Sequence, residues 1–189
     1  VNLALVAGQK SELVKSGGIM AAASAMAHHR DNAEVQFRAL FALINLVIPT
    51  EDGSDGDSVG RNGNGEVNEF ELDGGNESDN WWQGSAPYLP LHARETRILD
   101  EAAPYVIALV VASMKNFCSC EAVLNRACLV VHNLSLSVRY HEILLLTPDL
   151  FRMVEWSMAN YCHDQVLQRS AGGTLQRLQA TLSRDRELR

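Results

Sequence analysis

The stretch Ala39-Leu40-Phe41-Ala42-Leu43-Ile44-Asn45-Leu46 decides how this chain is read, because its pattern returns twice. Val35, Ala39, Leu43 and Leu46 recur at the three- and four-residue steps that give a helix one buried stripe. Ala127-Cys128-Leu129-Val130-Val131-His132-Asn133-Leu134 matches it closely, and Ala171-Gly172-Gly173-Thr174-Leu175-Gln176-Arg177-Leu178 matches it more loosely. The last two copies lie about 44 residues apart and the first interval is about twice that, so a unit of about 40 to 47 residues fits both. Val35-Gln36 and Leu167-Gln168 hold the same place in the first and third copies.

Working outward from these copies, the chain divides by composition into helix-like residues 1–49, an insert at 50–92 rich in Gly, Asp, Asn, Ser and Glu, helix-like residues 93–182 and a charged tail at 183–189. In the first part, a short helix over Gln9 to Lys15 is stopped by Gly17 and Gly18, a second runs from Ile19 to about His28, and a third from Ala33 to Ile48 ends before Pro49. The same grammar predicts helices over Ala102 to Asn116, Glu121 to Leu136 and Val138 to Leu146. Another follows Pro148 and reaches about Tyr161, and a last one opens at His163 or Asp164 and reaches Leu182. The insert has almost no apolar periodicity before Trp81 and Trp82, so it is expected to be a mobile acidic loop.

With 47% apolar residues in 189, the chain can bury one sizeable core or a short row of repeating units. The formal charge of −7 is not spread evenly. Residues 51–79 hold ten acids against one base, Arg61, and the rest is close to neutral, which argues against nucleic acid as a partner. No stretch approaches the roughly 20 apolar residues of a membrane span, and Val1 to Ala7 lacks the pattern of a signal peptide. Cys118, Cys120, Cys128 and Cys162 lack zinc-site spacing and are expected to be reduced and mostly buried thiols, which points to cytoplasm or nucleus. A start in mid-pattern, without Met, suggests part of a longer array.

The run Ser16-Gly17-Gly18-Ile19, then Met26, then Asn32-Ala33-Glu34-Val35-Gln36, then Ala42-Leu43-Ile44-Asn45-Leu46 resembles an armadillo repeat: short helix, Gly-marked corner, second helix, long third helix ending in Asn-Leu. Asn2-Leu3-Ala4 reads as the end of a preceding unit. The resemblance covers 1–49 well and 93–182 moderately, and it implies an all-α, right-handed α-solenoid of three-helix repeats, interrupted by the acidic loop. It also implies that third helices line a concave groove holding an extended peptide or a protein surface. In family members that grip nuclear-localisation peptides the groove Asn follows a Trp by four residues. Asn45 and Asn133 stand in the Asn place here, but Phe41 and Leu129 replace the Trp, which speaks against that grip. Arg38 and Arg126 lie seven residues before each Asn on the same face. The candidate partner-binding stripe is therefore Arg38, Phe41, Asn45 beside Arg126, Leu129, Asn133, with Arg177 in the Asn place of the third unit. The alternative for the same residues is structural: an Asn near a helix end also ties neighbouring backbone, and Phe41 or Leu129 also serves as core.

No catalytic centre, metal site or cofactor is expected. The histidines lack ligand spacing, and neither a Gly-x-Ser-x-Gly elbow nor a Lys-containing phosphate loop is present. Asn62-Gly63-Asn64-Gly65-Glu66-Val67 with Glu71 resembles the second half of an EF-hand loop, the basis of an alternative reading as a calcium-responsive module, yet its first ligand place falls on Gly60 and an Asp/Gly/Asn-rich solvated loop is the favoured reading. Asn76-Glu77-Ser78 fits a glycosylation acceptor that a reducing compartment leaves idle. Trp81 and Trp82 are expected to cap the apolar edge that the insert interrupts. The expected function is a protein–protein interaction scaffold. A regulated version would have the acidic loop occupy the groove until a partner displaces it, so that deleting 51–80 raises partner affinity.

Overall fold

A computed structural model describes residues 7–48 and 93–187, with side chains described for 9–48 and 94–184. The acidic insert, Asn2-Leu3-Ala4, the EF-hand-like run, the glycosylation triplet and Trp81-Trp82 lie outside the described residues. Those described form eight α-helices and one short 3-10 turn, with no strand among them. No helix among them is long and apolar enough to cross a membrane.

Helices α1 (Ala7–Lys15) and α2 (Gly18–His28) meet at a corner the two glycines make possible. Gly17 holds φ at 85°, where a Cβ is penalised, and a Cβ on Gly18 would sit 2.7 Å from the Leu13 carbonyl oxygen. After the loop at 29–32, α3 (Ala33–Leu46) begins where the Asn32 side chain accepts from Val35 N at 3.1 Å, capping one of the orphan amides of the first turn. Of the expected stripe Ala39, Leu43 and Leu46 are buried and Val35 is half-buried, and Leu40 and Ile44 join them in the core.

The second half departs from expectation at its start. Instead of a helix opening at Ala102, α4 runs from Ala93 to Asn116 with Pro104 inside it. An internal proline removes one hydrogen bond and costs about 3 kcal/mol or more, so tertiary burial must outweigh it. Thr96, Leu99, Ala102 and Ala103 before the proline, and Val106, Ile107 and Val110 after it, are all buried, while Pro104 itself faces solvent. The core thus carries the helix through the breaker, and the Gly-marked corner of the first unit has no counterpart here.

Helix α5 (Glu121–Leu134) stops two residues earlier than expected, and the expected helix over Val138 to Leu146 is a 3-10 turn at Val138–Tyr140 followed by α6 (His141–Leu146). Helix α7 (Leu150–Asn160) begins after Asp149, whose φ of 64° places it in the left-handed region, a conformation Asp tolerates better than most residues. Its carboxylate is held by Lys115 Nζ at 2.6 Å and Arg152 Nη2 at 2.9 Å, and Lys115, the first cause, keeps its pKa below the ordinary range. Helix α8 (Gln165–Glu187) opens later and ends further on than expected, with Asp164 accepting from Leu167 N at 2.9 Å.

Two rows of helices enclose the core. In one, α3 lies against α5 and α5 against α8; in the other, α2 lies against α4 and α4 against α7. Helix α2 also packs on α3, α4 on α5 and α7 on α8, joining the rows, while α1 rests on α2 and α4, and α6 on α7 and α8. Asn133 Nδ2 donates to the Ile44 carbonyl at 2.7 Å, a buried hydrogen bond tying α5 to the end of α3 between residues 89 positions apart.

The thiols differ from expectation in burial. All four cysteines are free, but only Cys128 is buried, where desolvation first and foremost pushes its pKa up to about 12. Cys118 and Cys120 are half-buried and Cys162 is exposed, because they sit in the α4–α5 and α7–α8 connections and not on an inward stripe.

Candidate interaction face along α3, α5 and α8

On α3 the outward face presents Glu34, Arg38 and Phe41. Arg38 donates to Glu34 one turn back, and its side chain is 76% exposed. Phe37 and Phe41 are half-buried at the side facing α5. The Arg126 guanidinium of α5 lies over both rings, 5.3 Å from the Phe37 centroid and 5.7 Å from the Phe41 centroid, a cation–π arrangement that fixes where its charge sits. Its Nη1 donates to Asn125 Oδ1 at 3.3 Å, and Asn125 Nδ2 donates to Asp164 Oδ2 at 2.6 Å, linking the starts of α5 and α8. Leu129 is half-buried on the same face, one turn beyond Arg126.

The two asparagines of the stripe point their amides into the fold. Asn45 is 4% exposed and donates to the Phe41 carbonyl at 3.2 Å; Asn133 is 8% exposed and makes the tie to Ile44. Such back-bonding serves the backbone of these helices. Of the candidate stripe, Arg38, Phe41, Arg126 and Leu129 are the exposed or half-buried members on α3 and α5.

In α8, Gly173 occupies the place of Phe41 and Leu129, and Arg177 occupies that of the asparagines. A Cβ at Gly173 would lie 3.2 Å from Arg177 Nη1 and 3.2 Å from the His132 ring, so the missing side chain is what lets the guanidinium fold over toward α5. Arg177 Nη1 donates to Ser135 Oγ at 3.3 Å. His132 Nδ1 lies 3.1 Å from the Ser170 carbonyl and 3.3 Å from the same Nη1. A carbonyl oxygen brings no proton, so Nδ1 must carry it and donate to Ser170; it cannot also accept from Arg177. Burial foremost, and then the Arg177 charge, lower the His132 pKa, and desolvation lowers that of Arg177. The imidazole is thus held neutral beside a guanidinium that stays charged.

Three features of this region were not singled out in the stripe. Phe37 supplies the nearer ring under Arg126; its signal was its position beside Arg38 on the α5-facing flank. His132 and Ser135 anchor Arg177, and nothing in their spacing marks them. Gln36 and Gln168 form the third feature. Gln36 Nε2 donates to the Met26 and His29 carbonyls, both at 2.9 Å, ten and seven residues back. Gln168 Nε2 donates to Met158 at 2.8 Å and Tyr161 at 3.2 Å, at the same two offsets. Each amide thereby holds two carbonyls at the C-terminal end of the preceding helix, one of which, His29 or Tyr161, also accepts from the backbone N–H of Asn32 or Asp164.

Among the described residues no group of three or more His, Cys, Asp or Glu is placed to hold a metal ion. No protein-family model, curated protein or solved structure matches this chain. The described residues define an all-helical class, with Arg38 and Phe41 on α3, Arg126 and Leu129 on α5 and Arg177 on α8.

Proposed function

We propose that this chain is part of an armadillo-type right-handed solenoid and acts as a protein–protein interaction scaffold, holding an extended peptide or a partner surface along α3, α5 and α8. The observation that carries the reading is the repetition of one polar clamp: Gln36 at the α2–α3 corner and Gln168 at the α7–α8 corner make the same pair of hydrogen bonds at the same offsets. Equivalent clamps on helices that lie in one row are what repeated structural units produce. Equivalent units in turn present equivalent outward strips, here Arg38 with Phe41 and Arg126 with Leu129, while Arg177 stands in the Asn place of the third unit.

The test is recovery of partners from a lysate by the intact chain and by an Arg38→Glu, Phe41→Ala, Leu129→Ala variant. Asn45 and Asn133 are left in place because their amides serve the fold. Loss of specific partners with an unchanged unfolding midpoint is the expected result. Unchanged recovery of every partner would remove this face as the binding surface.

A further inference from the structure

Where the seam between α3 and α5 joins Ile44 to Asn133, the seam between α5 and α8 joins His132 to Arg177 at the equivalent places. We infer that Arg177 is a pH-gated side chain: protonation of His132 drives its guanidinium off the α5–α8 seam and out past Gly173, so that the third strip of the face gains a projecting cation in acid. This deepens the proposed scaffold reading by adding regulation to one strip, and it rests on that reading for the role of the face.

The first ground is that the present contact suits only a neutral ring. His132 Nδ1 gives its proton to the Ser170 carbonyl at 3.1 Å, and Arg177 Nη1 stands 3.3 Å from the same nitrogen. A second proton, on Nε2, turns the ring into a cation beside a guanidinium that keeps its own charge. Like charges at that separation repel, and burial weakens the screening that water would supply. The ring is the part that stays, because a positive charge strengthens its bond to Ser170. Arg177 is the part that leaves: it is half-buried on a flexible stem, and its bond to Ser135 Oγ is 3.3 Å long. Ser135 Oγ loses little, since it donates to the His132 carbonyl at 2.8 Å.

The second ground is room to move. A Cβ on Gly173 would stand 3.2 Å from Arg177 Nη1, so the guanidinium passes over a residue with no side chain, where α3 and α5 carry Phe41 and Leu129. The charges around the ring add no rival cause. Burial first and Arg177 second oppose the proton on His132, and among the described groups of α3, α4 and α8, the helices packed on α5, Arg177 is the charge that acts on it. His141 of α6 is the other titratable group of the seam, with Nε2 donating to the Ser135 carbonyl at 2.8 Å and Nδ1 at 2.6 Å from Thr181 Oγ1. The direction follows: above the ordinary histidine range the ring is neutral and Arg177 stays on the seam, and as pH falls below that range the ring takes its proton and Arg177 departs.

The experiment is a pH titration, from about 8 to about 5, of the isotope-labelled intact chain and of His132→Leu and Arg177→Gln variants, followed by NMR at imidazole C–H, arginine Nε–Hε and backbone amide signals. In the native chain the Arg177 Nε–Hε signal should shift with the same midpoint as the His132 ring, while the amides of α8 stay protected from exchange. The His132→Leu variant should lose that step at Arg177, and in Arg177→Gln the His132 midpoint should move up. An Arg177 signal that stays in place while His132 titrates overturns the gate. A step that survives in His132→Leu overturns it too, by assigning the step to another group such as His141. Loss of α8 amide protection at the His132 midpoint is the third overturning result, because the whole helix then opens and not one side chain. No partner enters these measurements, so their failure is distinct from failure of the partner-recovery test of the face.

Discussion

The corners α2–α3 and α7–α8 are built alike, and the corner α4–α5 is built differently. In the first two, a side chain caps the incoming helix, Asn32 at Val35 N and Asp164 at Leu167 N, and a glutamine one turn in ties down the outgoing one. At the third, Cys120 stands at the cap without a side-chain hydrogen bond, and fully buried Leu124 occupies the glutamine's place. The difference follows from neighbours. Helix α5 is flanked in its own row by both α3 and α8, whereas α3 and α8 each have one such flank among the described helices. A rod wedged on both sides is positioned by apolar packing; a rod with one flank needs hydrogen bonds to set its angle to the helix before it.

Removing a clamp is the most damaging way to test that account. Gln36→Ala, at a site 2% exposed, takes the side-chain donor from the Met26 carbonyl and leaves His29 with the Asn32 N–H alone, and should lower unfolding free energy by about 2–3 kcal/mol. Gln168→Ala, at a half-buried site with one longer bond, should cost about 1–3 kcal/mol. The two sites are far apart, so the double variant should show the sum within about 0.5 kcal/mol in urea titration. Losses below about 0.5 kcal/mol for both would reduce the clamps to decoration.

The asparagines separate the two roles that their shared position disguises. Asn133→Ala should cost about 1–3 kcal/mol, because it strips the Ile44 carbonyl of a buried partner supplied by another helix. Asn45→Ala loses only a bond within its own helix, whose acceptor Phe41 O belongs to the ordinary ladder, and should cost less than about 1 kcal/mol. Equal losses would mean that the inter-helix tie contributes nothing of its own.

These residues also show how far the sequence could be read. The recurrence of the Ala39 to Leu46 pattern was enough to place α3, α5 and α8, since periodicity reports which side of a helix is buried. It was blind to α4 before Ala102, where burial against other helices carries the helix on past the local breaker Pro104. Gln36 and Gln168 were visible as matching positions, but their bonds to carbonyls seven and ten residues back depend on the angle between two helices, which no local pattern encodes. The stripe was legible as a face and not as a set of contacts: Asn45 and Asn133 share spacing with Arg38 and Arg126, yet their short amides reach only backbone.

A gain of stability would sharpen the comparison from the other side. Cys120→Asp gives α5 the cap that α3 and α8 already have, and should stabilise by about 0.5–1 kcal/mol. Glu121 beside it adds a like charge, which sets the lower end of that range. The Asn32→Ala and Asp164→Ala variants should move the other way by about 1 kcal/mol each. A Cys120→Asp chain that unfolds no later than the native one would indicate that α5 has no unmet amide at its start.

The smallest effect tests the seams between rods. Toward α5, helix α3 offers Ile44; toward α8, α5 offers His132 at the equivalent place, beside Arg177 and Ser135. His132 has a folded pKa below its ordinary value of about 6.5, from burial first and the guanidinium second. Between those two values the unfolded chain binds more protons than the folded one. Stability therefore rises with pH through that window and is lost as pH falls through it, fully so below the folded pKa. The urea midpoint should drop between about pH 7 and about pH 5 by more in the native chain than in a His132→Leu variant, which places an apolar side chain like that of Ile44 at the seam. Carboxylates contribute the same acid loss to both chains, so the difference between the two slopes isolates the imidazole. Parallel slopes would mean that His132 accepts a proton in the folded state as readily as in the unfolded one, and that Arg177 does not hold it neutral.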